Sequence, residues 1–269
     1  MNELIRLTPW DLALAALLLL IPAAISIALR LGLQKSLGIA ALRTVAQLAL
    51  VGFVLEWVFA LNRWYYVLPV LLVMLLAAAR AAIQRSSRRF PGAYLAAFAS
   101  LVLASSLTAF SVTEIILGVD PWYAPRYVIP LVGMLLGNAL TGISLSLDRL
   151  LNDLVRQRLS VEARLSLGAS TWQAVLPWMR EALRNGMVPI INAMMIVGLV
   201  SLPGMMTGQI LAGASPVNAV AYQILIMFMI AATTALGVII LCLSCYRALA
   251  DPAQRIRWEK IIERDSSAH

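Results

Sequence analysis

Apolar residues dominate this chain in long runs, not in the alternation of a half-buried strand or the narrow stripe of a soluble helix. Seven runs stand out: 9–29, 37–59, 64–84, 92–117, 127–147, 187–202 and 217–246. A bilayer core takes about 20 apolar residues per helix, so each run is predicted to be a transmembrane span. Too little chain is left outside them for a second folded domain. Thr8-Pro9 and Ser215-Pro216 open the first and last runs with a hydroxyl cap and a proline at the first helical position, where the missing N–H costs nothing. The first run lacks a basic leader and a small-residue cleavage site, and it reads as a span. The prediction is one all-α polytopic membrane domain over residues 1–269, with about seven transmembrane helices.

The one long connection, residues 148–186, is neither a polar linker nor low in complexity. It reads as short amphipathic helices. Gly168 is placed to end one and Ser170 to cap the next, after which Trp172, Val175, Leu176, Met179 and Leu183 recur on one face. Beyond the sixth run, Pro203-Gly204 breaks the helix. The glycine-bounded stretch 205–213 is then expected to be a re-entrant or lip element.

Charge fixes the expected orientation. The chain carries 21 Lys and Arg against 13 Asp and Glu, a net charge of +8. In a soluble protein this balance would suggest nucleic acid, but only 13% of residues are charged and 61% are hydrophobic, so the excess is read by position against lipid. With the N-terminus outside, Arg30, Lys35, Arg85, Arg88, Arg89, the six arginines of 148–186 and the five basic residues after 246 all fall inside. Only Arg6, Arg63 and Arg126 fall outside. The positive-inside rule therefore places the N-terminus out, the C-terminus in, and the 148–186 segment in the cytoplasm.

Several chemistries are excluded by raw material. The two cysteines are Cys242 and Cys245, the single histidine is His269, and no Gly-x-x-x-x-Gly-Lys-[Ser/Thr] occurs. A His/Cys metal cluster, a histidine-dependent intramembrane protease and an ATP-binding P-loop are thus not expected on this chain. A transport role and a structural or regulatory membrane role both remain open. Met205 and Met206, thioethers beside the helix break, with Gln209 one turn on, are candidate metal ligands and substrate contacts. Glu114, near the outer end of its span, could attract a cation. Arg43 and Gln47 are one turn apart inside the second run and serve either as a structural pin or as a gate. Gly133 and Gly137, followed by Asn138, allow two helices to approach closely.

Glu162-Ala163-Arg164, then Gly168, then Leu176-Pro177 resemble the Glu-Ala-Ala loop of ABC permeases, with Arg164 where that loop has its second alanine. The resemblance implies a coupling helix that docks on a separate cytoplasmic ABC ATPase, with Glu162, Ala163, Gly168, Trp172 and Pro177 as the coupling residues. Three further strings cover most of the chain: Arg43-Thr44-Val45-Ala46-Gln47-Leu48, Gly133-Met134-Leu135-Leu136-Gly137-Asn138, and Ser201-Leu202-Pro203-Gly204-Met205-Met206-Thr207-Gly208-Gln209-Ile210-Leu211. They resemble the Fet-type iron-export ABC permease family, which is similar to plant aluminium-tolerance permeases. Membership implies a multi-pass permease of the bacterial inner membrane, a homodimer, and export of iron or another metal ion, with ATP and Mg held by the partner ATPase and no cofactor on this chain. A nucleotide-sugar cargo, or a secondary transporter or channel without an ATPase, are the alternatives.

Overall fold

The computed structural model describes residues 8–263 apart from 117 and 119. Glu3, Arg6, Arg264 and His269 lie outside the described residues. The helices are α1 (Pro9–Leu17), α2 (Leu20–Ala28), α3 (Gln34–Leu61), α4 (Trp64–Gln84), α5 (Ala93–Phe110), α6 (Pro125–Arg156), α7 (Arg158–Ser166), α8 (Thr171–Ile196), α9 (Gly204–Leu211) and α10 (Pro216–Leu249). A π-helical turn, Ser111–Ile116, prolongs α5. Strands β1 (Arg88–Arg89) and β2 (Ile262–Glu263) form a two-residue antiparallel ladder.

Six of these helical stretches are long and apolar enough to cross a membrane: Trp10–Ala28, Gln34–Leu61, Trp64–Gln84, Ala93–Ile116, Pro125–Arg156 and Pro216–Leu249. The molecule is an all-α polytopic membrane protein. The expected sixth span, 187–202, is not an independent helix. Its helical part is the second half of α8, which runs unbroken from Thr171 through Gly186 to Ile196. Arg180, Glu181 and Arg184 in the first half of that helix dilute its hydropathy, while the apolar half alone is too short to span. The amphipathic segment shrinks accordingly. Of residues 148–186, the first nine belong to α6 and the last sixteen to α8, so only α7 and its flanking turns form a separate piece.

Helices α6 and α10 have 32 and 34 residues. At a rise of 1.5 Å per residue each is about 50 Å long, well beyond the roughly 30 Å hydrocarbon core. They form the axis of the packed bundle with α4, α5 and α8, whereas α1–α3 make few contacts with it. The tightest point is a crossing of two glycines. A Cβ on Gly142 of α6 would stand 2.7 Å from the Gly186 carbonyl oxygen of α8 and 2.6 Å from Thr234 Cγ2 of α10. A Cβ on Gly186 would meet the Gly142 carbonyl oxygen at 2.9 Å. Backbone therefore lies against backbone, as small residues permit in membrane helices. Gly133 and Gly137 do not supply this contact. Gly133 faces only the flexible end of Met74, and a Cβ on Gly137 would meet nothing within 4 Å.

Polar ties fasten the bundle at two levels. The Thr108 and Thr233 hydroxyls share a 2.6 Å hydrogen bond between α5 and α10. At the basic end, Asp148 Oδ1 accepts from the Ser87 amide at 2.8 Å and from the Ser87 hydroxyl at 2.7 Å, which holds the α4–α5 turn on α6. Asn152 Nδ2 donates to the Ser87 hydroxyl at 3.0 Å. Hydrogen bonds to a carboxylate are among the stronger ones, so Asp148→Ala is expected to cost on the order of 2 kcal/mol. Thermal unfolding of the detergent-purified variant should show a clear drop in Tm, with Asp148→Asn losing less because its amide oxygen still accepts.

Candidate functional site

Two regions at opposite ends of α6, α8 and α10 carry the candidate chemistry. The first is the α7 turn. Helix α7 ends at Gly168, whose φ of +89° is the left-handed conformation that glycine adopts without penalty. The Gly168 amide donates to the Leu165 carbonyl at 3.0 Å and the Ala169 amide to the Arg164 carbonyl at 3.1 Å, closing the helix C-terminus. Ser170 then caps α8: its hydroxyl accepts from the Gln173 amide, and the Gln173 side chain accepts from the Ser170 amide. The turn is thus stiff.

It is also anchored from below. The Thr171 hydroxyl shares a 2.9 Å hydrogen bond with the Tyr246 hydroxyl of α10, and the Trp172 ring packs edge-on to Tyr246 at 5.1 Å. Trp258 Nε1 donates to the Glu162 carboxylate, and the Arg158 guanidinium lies over the Trp258 ring. Asp251, in the turn after α10, accepts from Arg257 at 3.0 Å, and that hydrogen bond holds its carboxyl below the ordinary range. Pro177 lies within α8, one and a half turns after its start. Glu162 therefore faces the chain's own C-terminal segment. What α7 turns outward is a ridge at intervals of four: Leu159 at 86% exposed, Ala163, and Leu167 at 88%. In the sequence the two leucines are marked only by their i, i+8 spacing about Ala163.

The second region surrounds α9. After Ile196 the chain makes a tight turn, with Gly198 at φ +83° and its amide bonded to the Ser201 carbonyl. Pro203 leads into α9, which Gly213 ends at φ +92°. This short helix packs on α10. Met205 and Gln209 both line a cavity of about 350 Å³ with Arg126, Tyr127, Asn218 and Tyr222. Met205 also lines a second cavity of about 230 Å³ that includes Met134 and Asn138 of α6 and Gln223 and Met227 of α10. Met206 points the other way, into a third of about 510 Å³ with Met194, Gln223, Met227 and Phe228.

The structure therefore brings Met205, Gln209 and Asn138 to adjoining spaces and places Met206 on the far side of Gln223. Glu114 is exposed in the π-helical turn and lines none of these three cavities. Asn138 Nδ2 donates to the Met134 carbonyl of its own helix at 2.9 Å. Arg43 and Gln47 stand exposed on α3, away from both regions. Among the described residues no group of three or more His, Cys, Asp and Glu could hold a metal ion. Gln223 went unremarked in the sequence because one amide barely disturbs so apolar a run. Its position one turn before Met227 was the available signal.

A bundle of long apolar helices of this kind, with open pockets beside a broken helix, defines a polytopic membrane protein. The chain belongs to a family described as "Uncharacterised protein family (UPF0014)", which it matches over residues 9–250. It is 40% identical over 214 residues to UPF0014 membrane protein slr1647 of Synechocystis, covering 80% of this chain and 83% of that one. It is 34% identical over 242 residues to the probable iron export permease protein FetB of Escherichia coli, with 90% and 92% covered. Protein ALUMINUM SENSITIVE 3 of Arabidopsis thaliana is 33% identical over 245 residues, with 91% and 88% covered. No solved structure matches the chain.

Proposed function

We propose that this chain is the permease subunit of an ABC transporter that exports iron or another metal ion across the bacterial inner membrane, driven by a separate cytoplasmic ATPase. The observation that carries the reading is the outward ridge of α7. Two nearly fully exposed leucines flank Ala163 at the basic end of the bundle, the end that the positive-inside rule assigns to the cytoplasm. The ridge sits on a capped turn tied through Thr171, Tyr246 and Trp258 to the long axial helices. A surface of this stiffness can pass a partner's motion into the membrane. ATP and Mg belong to that partner.

Iron as cargo is supported by the similarity to the probable iron export permease protein of E. coli. The homodimer is supported by α1–α3: these apolar helices pack little on their own bundle, and α3 carries Arg43, Gln47 and Glu56 exposed within its span. Embedded charges of this kind find protein partners. The test is release of iron(II) from loaded cells that express this chain alone, the chain with its ATPase, or the chain with a hydrolysis-dead ATPase. Release only with the active pair is expected. Release from the chain alone would replace this reading with a channel or secondary transporter.

A further inference from the structure

Gln223 has 6% of its surface exposed, yet its side-chain oxygen makes no hydrogen bond among the described residues. A buried amide oxygen left unpaired costs about 1–3 kcal/mol. Such an atom, about two turns into an apolar helix, is an acceptor left without a donor. Gln223 and Met227, one turn apart on α10, are common to the 230 Å³ and 510 Å³ cavities and form the wall between them. Around that wall stand Met134 and Met205 on one side, Met194 and Met206 on the other.

The donor set is unusual in one respect: it is neutral throughout. Among the described residues no Asp, Glu, Lys, Arg or His lines either cavity. A hard divalent ion entering here would meet no compensating charge, and burying an uncompensated ion in a low-dielectric interior is costly in proportion to the square of its charge. Thioethers are soft ligands and select soft metals, copper(I) above all among the first-row ions. Several thioethers lining one space thus suit a large, polarisable, singly charged cation, and the amide of Gln223 adds a neutral donor to them. Neutral ligands also hold it weakly enough for it to leave again.

We infer that Gln223, Met227, Met134 and Met205 form an intramembrane binding site for a soft monovalent metal cation of the copper(I) class. The site rests on the reading of this chain as a metal-ion permease and narrows the class of ion that the permease carries best. Met206 and Met194, across the same wall, give the ion a second set of thioethers to move to.

Silver(I) is the probe, because it shares copper(I)'s charge and softness without its redox chemistry. The purified full-length chain in nanodiscs is dialysed against silver(I) and, anaerobically, against iron(II), and bound metal is counted by mass spectrometry. Saturable binding of one silver per chain is expected, with iron(II) bound at least tenfold more weakly and with sulfur neighbours to silver in X-ray absorption. Gln223→Leu and Met227→Leu should each weaken silver binding tenfold or more. Met195→Leu, at a side chain 72% exposed and outside both cavities, should leave it unchanged. Met227→Leu keeps the side-chain volume, so an unchanged Tm separates lost ligation from lost fold. Silver binding indifferent to both variants, iron(II) binding as tight as silver, or water alone at Gln223 would overturn the site. Failure of the permease reading looks different: silver held at Gln223 while no metal leaves cells in an ATPase-dependent way.

Discussion

Gly186→Leu is expected to yield almost no folded protein in detergent extracts, and Gly142→Leu the same. At both positions the new side chain meets a carbonyl oxygen of the facing helix closer than 3 Å, and backbone cannot turn aside as a side-chain end can. Overpacking of an adjustable core costs roughly 1–3 kcal/mol; here α6 and α8 would have to separate, with loss of the contacts both make to α10. The alanine series gives a graded check. Gly186→Ala and Gly142→Ala should each lower the Tm of the purified protein by several degrees. Gly137→Ala, with open space around its Cβ, should match or slightly exceed the parent because alanine is the better helix former. Equal melting temperatures across the three alanine variants would show that the glycine crossing does not hold the bundle.

The second large effect is on partner capture. On the proposed function, Leu159→Asp with Leu167→Asp should abolish copurification of the proposed ATPase partner while the chain still inserts, folds and melts normally. Both side chains are more than 85% exposed, so their replacement removes nothing from the chain's own core. Placing charge at the centre of an apolar docking ridge, by contrast, costs several kcal/mol in the complex, about a thousandfold in affinity. Glu162→Gln makes the informative comparison. Its carboxylate is engaged by Trp258, so the change should loosen the C-terminal segment, seen as faster hydrogen exchange around Trp258, with a much smaller loss of ATPase. Full ATPase capture by the double aspartate variant would move the docking surface elsewhere.

The membrane-embedded elements were the most legible part of the sequence, because lipid leaves a helix no alternative to a long apolar run. Five of the seven expected spans correspond to single described helices, and the first is divided by a turn at Leu18 and Leu19. The sixth misled because α8 serves two environments. Its charged first half looks like a surface helix and its second half like a short span, and only Gly186, tolerated there for the sake of Gly142, joins them. The glycine motif misled for a related reason. Gly133 and Gly137 have the familiar spacing, but the partner of Gly142 comes from a helix 44 residues on, which local spacing cannot reveal. Asp148 was hidden similarly. Read as part of a loop, it shows no function; at the end of a helix, it is the acceptor that gathers Ser87.

The glycine crossing also has a mechanical meaning. Along α6 and α8 it lies between the cavities, lined by Met134, Asn138, Ile190 and Ala193, and the end of the bundle where α7 sits. With no side chains to cushion the two backbones there, the crossing is a fulcrum: rocking about it displaces the two ends of each helix in opposite senses. A displacement applied at Leu159 and Leu167 would then be carried to the walls around Met134 and Ile190.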